Sequence, residues 1–213
     1  MDADKVNIYG PCDRVIQYMN RWNLREFGKL KVAKWDELNI IRTVTEVYKR
    51  STQQARKQYF EEAFEVYLLL LETCDIRCRK ANGMAEKAIT SEWVDRKLNE
   101  VDPVTEFKYQ AEAERKAYRL AEAMEVTQDR DYEINKALRY WSQQQGQYAI
   151  NFTDYAVYEA LKDAGVEMVE WVSRRDSRVC NECHAYDGQI FRLDEVPAKH
   201  WGCRCTLRPV FRT

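Results

Sequence analysis

Residues 180–209 read CNECHAYDGQIFRLDEVPAKHWGCRCTLRP, and the folding of this stretch decides the character of the carboxy-terminal end. Four of the chain's seven cysteines and both of its histidines lie here. The spacing is C-x2-C, sixteen residues, then H-x2-C-x-C, which places Cys180, Cys183, His200, Cys203 and Cys205 in two short groups. Two ligand pairs about 15 to 20 residues apart are the layout of a structural zinc module, each pair forming one corner of a tetrahedron while the intervening chain returns. Zinc takes four ligands and five are offered. Cys180, Cys183, His200 and Cys203 are the expected set, because Trp201-Gly202 allows a tight turn between the last two. Cys205 is the alternative ligand, ranked lower on the expectation that it faces the other side of a strand.

Two rival chemistries fit less well. A thiol-redox pair at Cys180-Asn181-Glu182-Cys183 lacks a preceding strand and a helix amino terminus to lower a thiol pKa, and it leaves three more ligands unexplained. A metal-dependent nuclease needs an open metal position and further catalytic groups. The only other histidine, His184, adjoins a cysteine pair and reads as exposed or supporting. A closed four-ligand shell leaves no position for water, so the expected metal holds the fold and does not catalyse. The nearby Arg174, Arg175, Arg178, Arg204 and Arg208 are expected to compensate the charge of the site and donate to its sulfurs.

The rest of the chain is a different material. With 213 residues, 45% hydrophobic and 32% charged, it can bury a core of one large or two small domains. Lys plus Arg total 34 against 35 Asp plus Glu, which removes any whole-chain argument for steering toward nucleic acid. From Trp171 onward eight basic residues face five acids, so the tail carries +3 and the preceding chain −4. No apolar run reaches the roughly 18 to 20 residues of a membrane span. The polar start MDADKVNIYG shows no secretory signal, so synthesis in a reducing cytoplasm is expected, where clustered thiols read as metal ligands before disulfides.

Glycine and proline are scarce, seven and four, and the first 145 residues carry a helical period. Tyr59, Phe60, Ala63, Phe64, Tyr67, Leu68, Leu71 and Cys74 form one apolar stripe, with Cys74 and Cys78 expected as buried packing residues. A second helix is expected from Met84 to about Val101, stopped by Asp102-Pro103. A third covers about Val104 to Gln144 with a break near 127–131, its inward positions being Phe107, Ala111, Tyr118, Ala121, Met124, Ile134, Leu138 and Trp141. A fourth is expected from about Tyr148, burying Ala149, Phe152, Ala156, Ala160 and Leu161, and closing at Gly165. Thereafter three short strands are expected, in VEMVEWV, YDGQIF and CRCTLRPVF, with Asp187-Gly188 as a hairpin turn. The predicted class is α+β: an elongated, mainly helical region over 1–145, then a zinc-stapled α+β module over 146–213.

The stretch WVSRRDSRVCNECHAYDGQIF…VPAKHWGCRCTLRPV resembles the carboxy-terminal signature of phage head morphogenesis proteins, the phage Mu F-like minor head protein family. Trp171, Asp176, Cys180, Cys183, Asp187, Gly188, His200, Cys203, Arg204, Cys205 and Pro209 carry the resemblance, which covers about residues 148–210. Upstream, Phe152-Thr153-Asp154 and Gly165 stand where the family tends to have an Arg-Thr-Glu-like triplet and a glycine, so the arginine is replaced. Trp201 stands in place of the usual proline after the histidine. The resemblance implies a non-enzymatic virion component present in few copies. It would sit inside the capsid near the portal vertex, acting in head assembly and in DNA packaging or ejection. The implied partner is the portal protein, with the major capsid or scaffold protein and packaged DNA as further candidates, and no membrane. Some members carry toxin or enzyme domains after this module; with the sequence running to Thr213, none is expected. The alternatives of another class are a zinc-dependent nucleic-acid-binding module of a regulator and an HNH-like nuclease.

Overall fold

The computed structural model describes residues 9–32, 40–82, 92, 96, 106–174, 176–200 and 203–211, with side chains described outside 9–13, 73–82 and 106–110. Among the described residues four long helices come first: α1 (Tyr9–Val32), α2 (Ile40–Asn82), α3 (Glu106–Val126) and α4 (Arg130–Asp163). They are followed by β1 (Met168–Val172), the short α5 (Asn181–Tyr186), β2 (Ile190–Arg192), a 3-10 turn (Leu193–Glu195) and β3 (Thr206–Val210). The class is α+β, with one small antiparallel sheet in the order β2-β1-β3. Of the second helix expected over Met84–Val101 only residues 92 and 96 are described, both helical, and the side chains of Phe107, Cys12, Cys74 and Cys78 lie outside the described residues. Among the described residues no helix is long and apolar enough to cross a membrane.

The chain divides into two compact units, one of Met1–Pro11, Glu61–Val101 and Ile150–Thr213, the other of Cys12–Phe60 and Asp102–Ala149. The second unit is helical among its described residues. Its core joins Phe27 and Leu30 of α1, Val44, Val47 and Tyr48 of α2, Ala117, Leu120 and Met124 of α3, and Ile134, Leu138 and Trp141 of α4. Of the expected inward positions on α3, Ala111 and Tyr118 are exposed, and the buried seam is Ala113, Ala117, Leu120, Ala121 and Met124. Small residues at three- and four-residue spacing let α3 approach its neighbours, whereas a tyrosine keeps its hydroxyl wet at the margin.

A buried polar network runs through this unit. Asn23 Nδ2 donates to Ser142 Oγ at 3.0 Å and to Gln145 Oε1 at 2.7 Å. Ser51 Oγ donates to Asn23 Oδ1 and accepts from Gln145 Nε2 at 2.7 Å and from Trp141 Nε1 at 3.2 Å. Burying so many polar groups is tolerable only because each finds a partner.

The break between α3 and α4 falls where expected. Asp129 caps α4 by accepting from the Tyr132 N–H at 2.9 Å, and its own N–H bonds Thr127 Oγ1 at 3.1 Å. The expected start of a separate helix near Tyr148 is not found, since α4 runs unbroken through Gly146 to Asp163. The glycine there serves packing: a Cβ at 146 would sit 2.9 Å from Ile16 Cγ1. Residues on both sides of the expected 145/146 boundary therefore share one helix.

In the other unit, the part of α2 from Glu61 buries Ala63, Val66, Tyr67, Leu70 and Leu71. The Tyr67 hydroxyl donates to the Asp163 carboxylate of α4. Ala156, Ala160 and Leu161 are buried as expected, and Gly165 at φ 76° ends α4, with the Val166 N–H reaching Leu161 O at 3.0 Å. The turn at Asp187-Gly188 is a correction to the hairpin reading. Asp187 ends α5 at φ −56°, ψ 121°, Gly188 follows at φ 80°, and Gln189 N–H bonds Tyr186 O at 2.9 Å, a type II turn from helix into β2. A two-residue hairpin needs strand on both sides, and here the C-x2-C corner supplies a helix instead.

Nothing lies within 4 Å of a Cβ built on Gly188, so replacing it costs only backbone strain. Gly188→Ala is expected to lower stability by about 1 to 2 kcal/mol, measured by denaturant melts.

Candidate metal centre

Strand β1 alternates, Val169 and Trp171 inward, Glu170 outward. It pairs with β3 in the register Val169↔Pro209 and Trp171↔Leu207, and with β2 as Val169↔Phe191. Trp171 packs edge-on against Tyr186 at 5.4 Å, and Tyr186 against Phe191 at 5.8 Å. These rings seat α5 on the sheet, which fixes where its cysteines point.

Contrary to expectation, the C-x2-C pair does follow a strand and does open a helix: Cys180 caps α5 in extended backbone, and its sulfur accepts the Cys183 N–H at 3.4 Å. One turn of helix thus turns both sulfurs of the C-x2-C pair toward the same point. His200 Nε2 lies 3.2 Å from Cys180 Sγ and 3.1 Å from Cys183 Sγ. Cys183 Sγ lies 3.7 Å from Cys203 Sγ. The donor atoms form two overlapping triads, Cys180–Cys183–His200 and Cys183–Cys203–Cys205, each within 4.8 Å, and Cys183 belongs to both. All five sequence-derived ligands are therefore brought together.

The arrangement fits a metal ion. Two thiolates about 2.3 Å from one tetrahedral zinc stand roughly 3.8 Å apart, close to the Cys183–Cys203 separation. Soft sulfur with imidazole suits zinc or another thiophilic ion, and the cluster could hold one. Cys205 does not face away. Two residues apart in extended chain point to the same side, and Cys203 and Cys205, both just before β3, are each 3% exposed beside Cys183.

The thiols respond to this crowding. Burial pushes Cys183 up to about 12, and the neighbouring Cys205 together with burial raises Cys203. Cys180 is lowered by the backbone N–H of Cys183, and Cys205 by Cys203, with a contribution from the Trp171 side chain.

A family model described as phage Mu protein F-like matches residues 76–208, more than half of the chain and the whole cluster. The chain belongs to the phage Mu protein F-like family. No curated protein and no solved structure matches it. Membership points to a phage head morphogenesis protein of a structural family, and so to a virion component.

In this phage Mu F-like chain the residues that hold the cluster are partly ones that spacing did not single out. Lys199 Nζ bonds Asp154 Oδ1 of α4 at 2.6 Å and the Cys205 carbonyl at 2.5 Å, tying the residue beside His200 to a second candidate ligand. Burial raises the Asp154 pKa, against the pull of Lys199. A signal existed: Asp154 stands in the Thr153-Asp154 pair of the family triplet.

Two of the five arginines, Arg204 and Arg208, are engaged otherwise than expected. Arg204 Nη2 bonds Asp176 Oδ1 at 2.5 Å, holding that carboxyl down at about 2, and Arg208 pairs with the cross-strand Glu170. These two guanidiniums neutralise carboxylates, since a planar fork matches a carboxylate better than a lone sulfur. His184 is exposed, and Arg175 lies outside the described residues.

Proposed function

We propose that the protein is a minor head component inside the phage capsid near the portal vertex, serving head morphogenesis and DNA packaging or ejection. Its carboxy-terminal module would be stapled by one structural zinc on Cys180, Cys183, His200 and Cys203. The observation that carries this reading is the family match over residues 76–208, which spans the entire cysteine–histidine cluster. The sheet has only thirteen strand residues in three strands of five, three and five, too little to bury a self-sufficient core, so a metal cross-link accounts for its persistence.

Charge favours a protein partner over DNA as the principal contact. Lys199, Arg192, Arg204 and Arg208, four of the eight basic residues of the tail, are engaged with carboxylates of this chain. Cations neutralised internally release few counterions from phosphate, so affinity for DNA falls accordingly.

Mass spectrometry of purified phage particles, with cross-linking, is expected to find the chain in low copy and linked to the portal protein. Particles without it would end the minor-head reading. Tight, salt-sensitive DNA binding by the full chain would instead favour the nucleic-acid-binding alternative.

A further inference from the structure

Beside the donor cluster, inside the unit that holds Ile150–Thr213, lies a cavity of about 400 Å³. One wall is a single face of α4, where Asn151, Asp154, Tyr155 and Tyr158 follow at three- and four-residue spacing. The loop 196–200 and, from the sheet, Trp171 and Leu207 supply the rest. The last residue of that loop, His200, belongs to the donor cluster. A volume in the range of ligand sites, with mainly apolar and aromatic walls and a few polar groups, is the general form of a binding pocket.

The polar groups select the occupant. Lys199 Nζ bonds Asp154 Oδ1 and the Cys205 carbonyl, which leaves one of its three N–H groups without a partner among the described residues. Asp154 Oδ2 accepts no hydrogen bond there either and is not sealed in the core. Tyr155 stands 41% exposed on the same wall. The ion pair neutralises itself, so a net charge entering these apolar walls would lose its hydration without gaining a counter-ion. A neutral group that donates and accepts side by side satisfies both open positions. In an extended chain the N–H and C=O of one residue point the same way, which an adjacent carboxylate oxygen and ammonium N–H can meet together.

We propose that this cavity docks an extended, uncharged segment of a protein partner. An aromatic side chain of that segment enters between Tyr155, Tyr158 and Pro197, while the same residue's N–H donates to Asp154 Oδ2 and its C=O accepts from Lys199 Nζ. This deepens the protein-partner reading above and rests on it. Tyrosine and tryptophan walls suit an aromatic ring edge to face, and these are residues on which protein interfaces concentrate their energy. A nucleic-acid strand fits less well. Its bases match the rings, but its phosphates would meet a cation already held by a carboxylate.

The probe is N-acetyl-phenylalanine methylamide, a neutral capped residue, titrated into the full-length chain and followed by backbone amide resonances. Shifts at Ala198, Lys199 and Leu207 are expected, with a dissociation constant on the order of 1 mM. The anion N-acetyl-phenylalanine and the cation phenylalanine methylamide are expected to bind at least about fivefold more weakly. Ala198→Phe, at an exposed position on the cavity wall, is expected to fill the space and abolish the shifts with the fold unchanged. No shift with the neutral probe, equal binding of the charged analogues, binding that survives Ala198→Phe, or stronger shifts from adenosine each overturns the proposal. In assembled particles, a photoreactive benzoylphenylalanine in place of Tyr155 is expected to cross-link to an uncharged, apolar segment of one neighbouring protein. If particles contain the chain and that residue cross-links nothing, the docking site fails while the minor-head reading stands. Particles without the chain remove that reading itself.

Discussion

Cys183→Ser is expected to abolish the proposed zinc binding and to unfold the sheet of β1, β2 and β3, leaving a chain whose carboxy-terminal segment is cut rapidly by protease. This is the largest effect expected of any single substitution at the metal centre. Cys183 is the one donor common to both triads, so its loss leaves neither triad intact. Structural zinc contributes on the order of 10 to 16 kcal/mol in small modules, more than a three-stranded sheet can supply from its own burial. Serine is nearly isosteric with cysteine, so the packing around position 183 is not the cause. The readouts are zinc content and the near-ultraviolet circular dichroism of Trp171 against Tyr186. Cys205→Ser is expected to leave both near wild type. A Cys183→Ser chain that keeps its zinc and its Trp171 signal would remove the structural-zinc reading, and the same outcome would follow if a chelator left the melting temperature unchanged.

The cluster is legible in the sequence because ligand chemistry is local. Two thiols three residues apart on a capped turn have few ways to point, and a pair of such turns can meet only if the chain between them returns. That is why Cys180, Cys183, His200, Cys203 and Cys205 converge as their spacing implies. What surrounds them is less legible because it depends on partners far apart in sequence. Lys199 finds Asp154 forty-five residues away, and Arg208 finds Glu170 only because β3 pairs with β1 in one register. Charge counting sees these residues as a surface excess. A turn glycine such as Gly188 is legible locally, whereas the role of Gly146 is not. At 146 the missing side chain makes room for Ile16, an interhelical contact that no local pattern encodes. The helical stripes succeed where apolar spacing is strict, as at Ala156, Ala160 and Leu161, and fail at Ala111 and Tyr118, where either of two adjacent faces matches the period.

The other large effect lies in the helical unit. Trp141→Ala is expected to cost about 3 to 5 kcal/mol, since the ring is fully buried and its removal leaves a large void beside Tyr48. For a domain whose total stability is about 5 to 15 kcal/mol, that is a major fraction, visible as a fall in melting temperature of roughly 10 °C. Two comparisons separate packing from hydrogen bonding. Trp141→Phe keeps an aromatic ring while removing the indole N–H and the smaller part of the bicyclic ring. Ser51 Oγ would still donate to Asn23 and accept from Gln145, so no buried oxygen is orphaned and the cost, lost hydrogen bond plus a small void, should be about 1 to 2 kcal/mol. Asn23→Ala removes the hub of the network. Ser142 loses a donor, Gln145 loses a donor to its carbonyl, and Ser51 loses its acceptor, so a loss between the other two, about 2 to 3 kcal/mol, is expected. The order Trp141→Ala, Asn23→Ala, Trp141→Phe means that ring packing supplies most of the stability while the polar network sets which helix faces meet. If Trp141→Phe were as damaging as Trp141→Ala, the features that only indole supplies, its N–H to Ser51 and its second ring, would outweigh the packing of the shared aromatic ring.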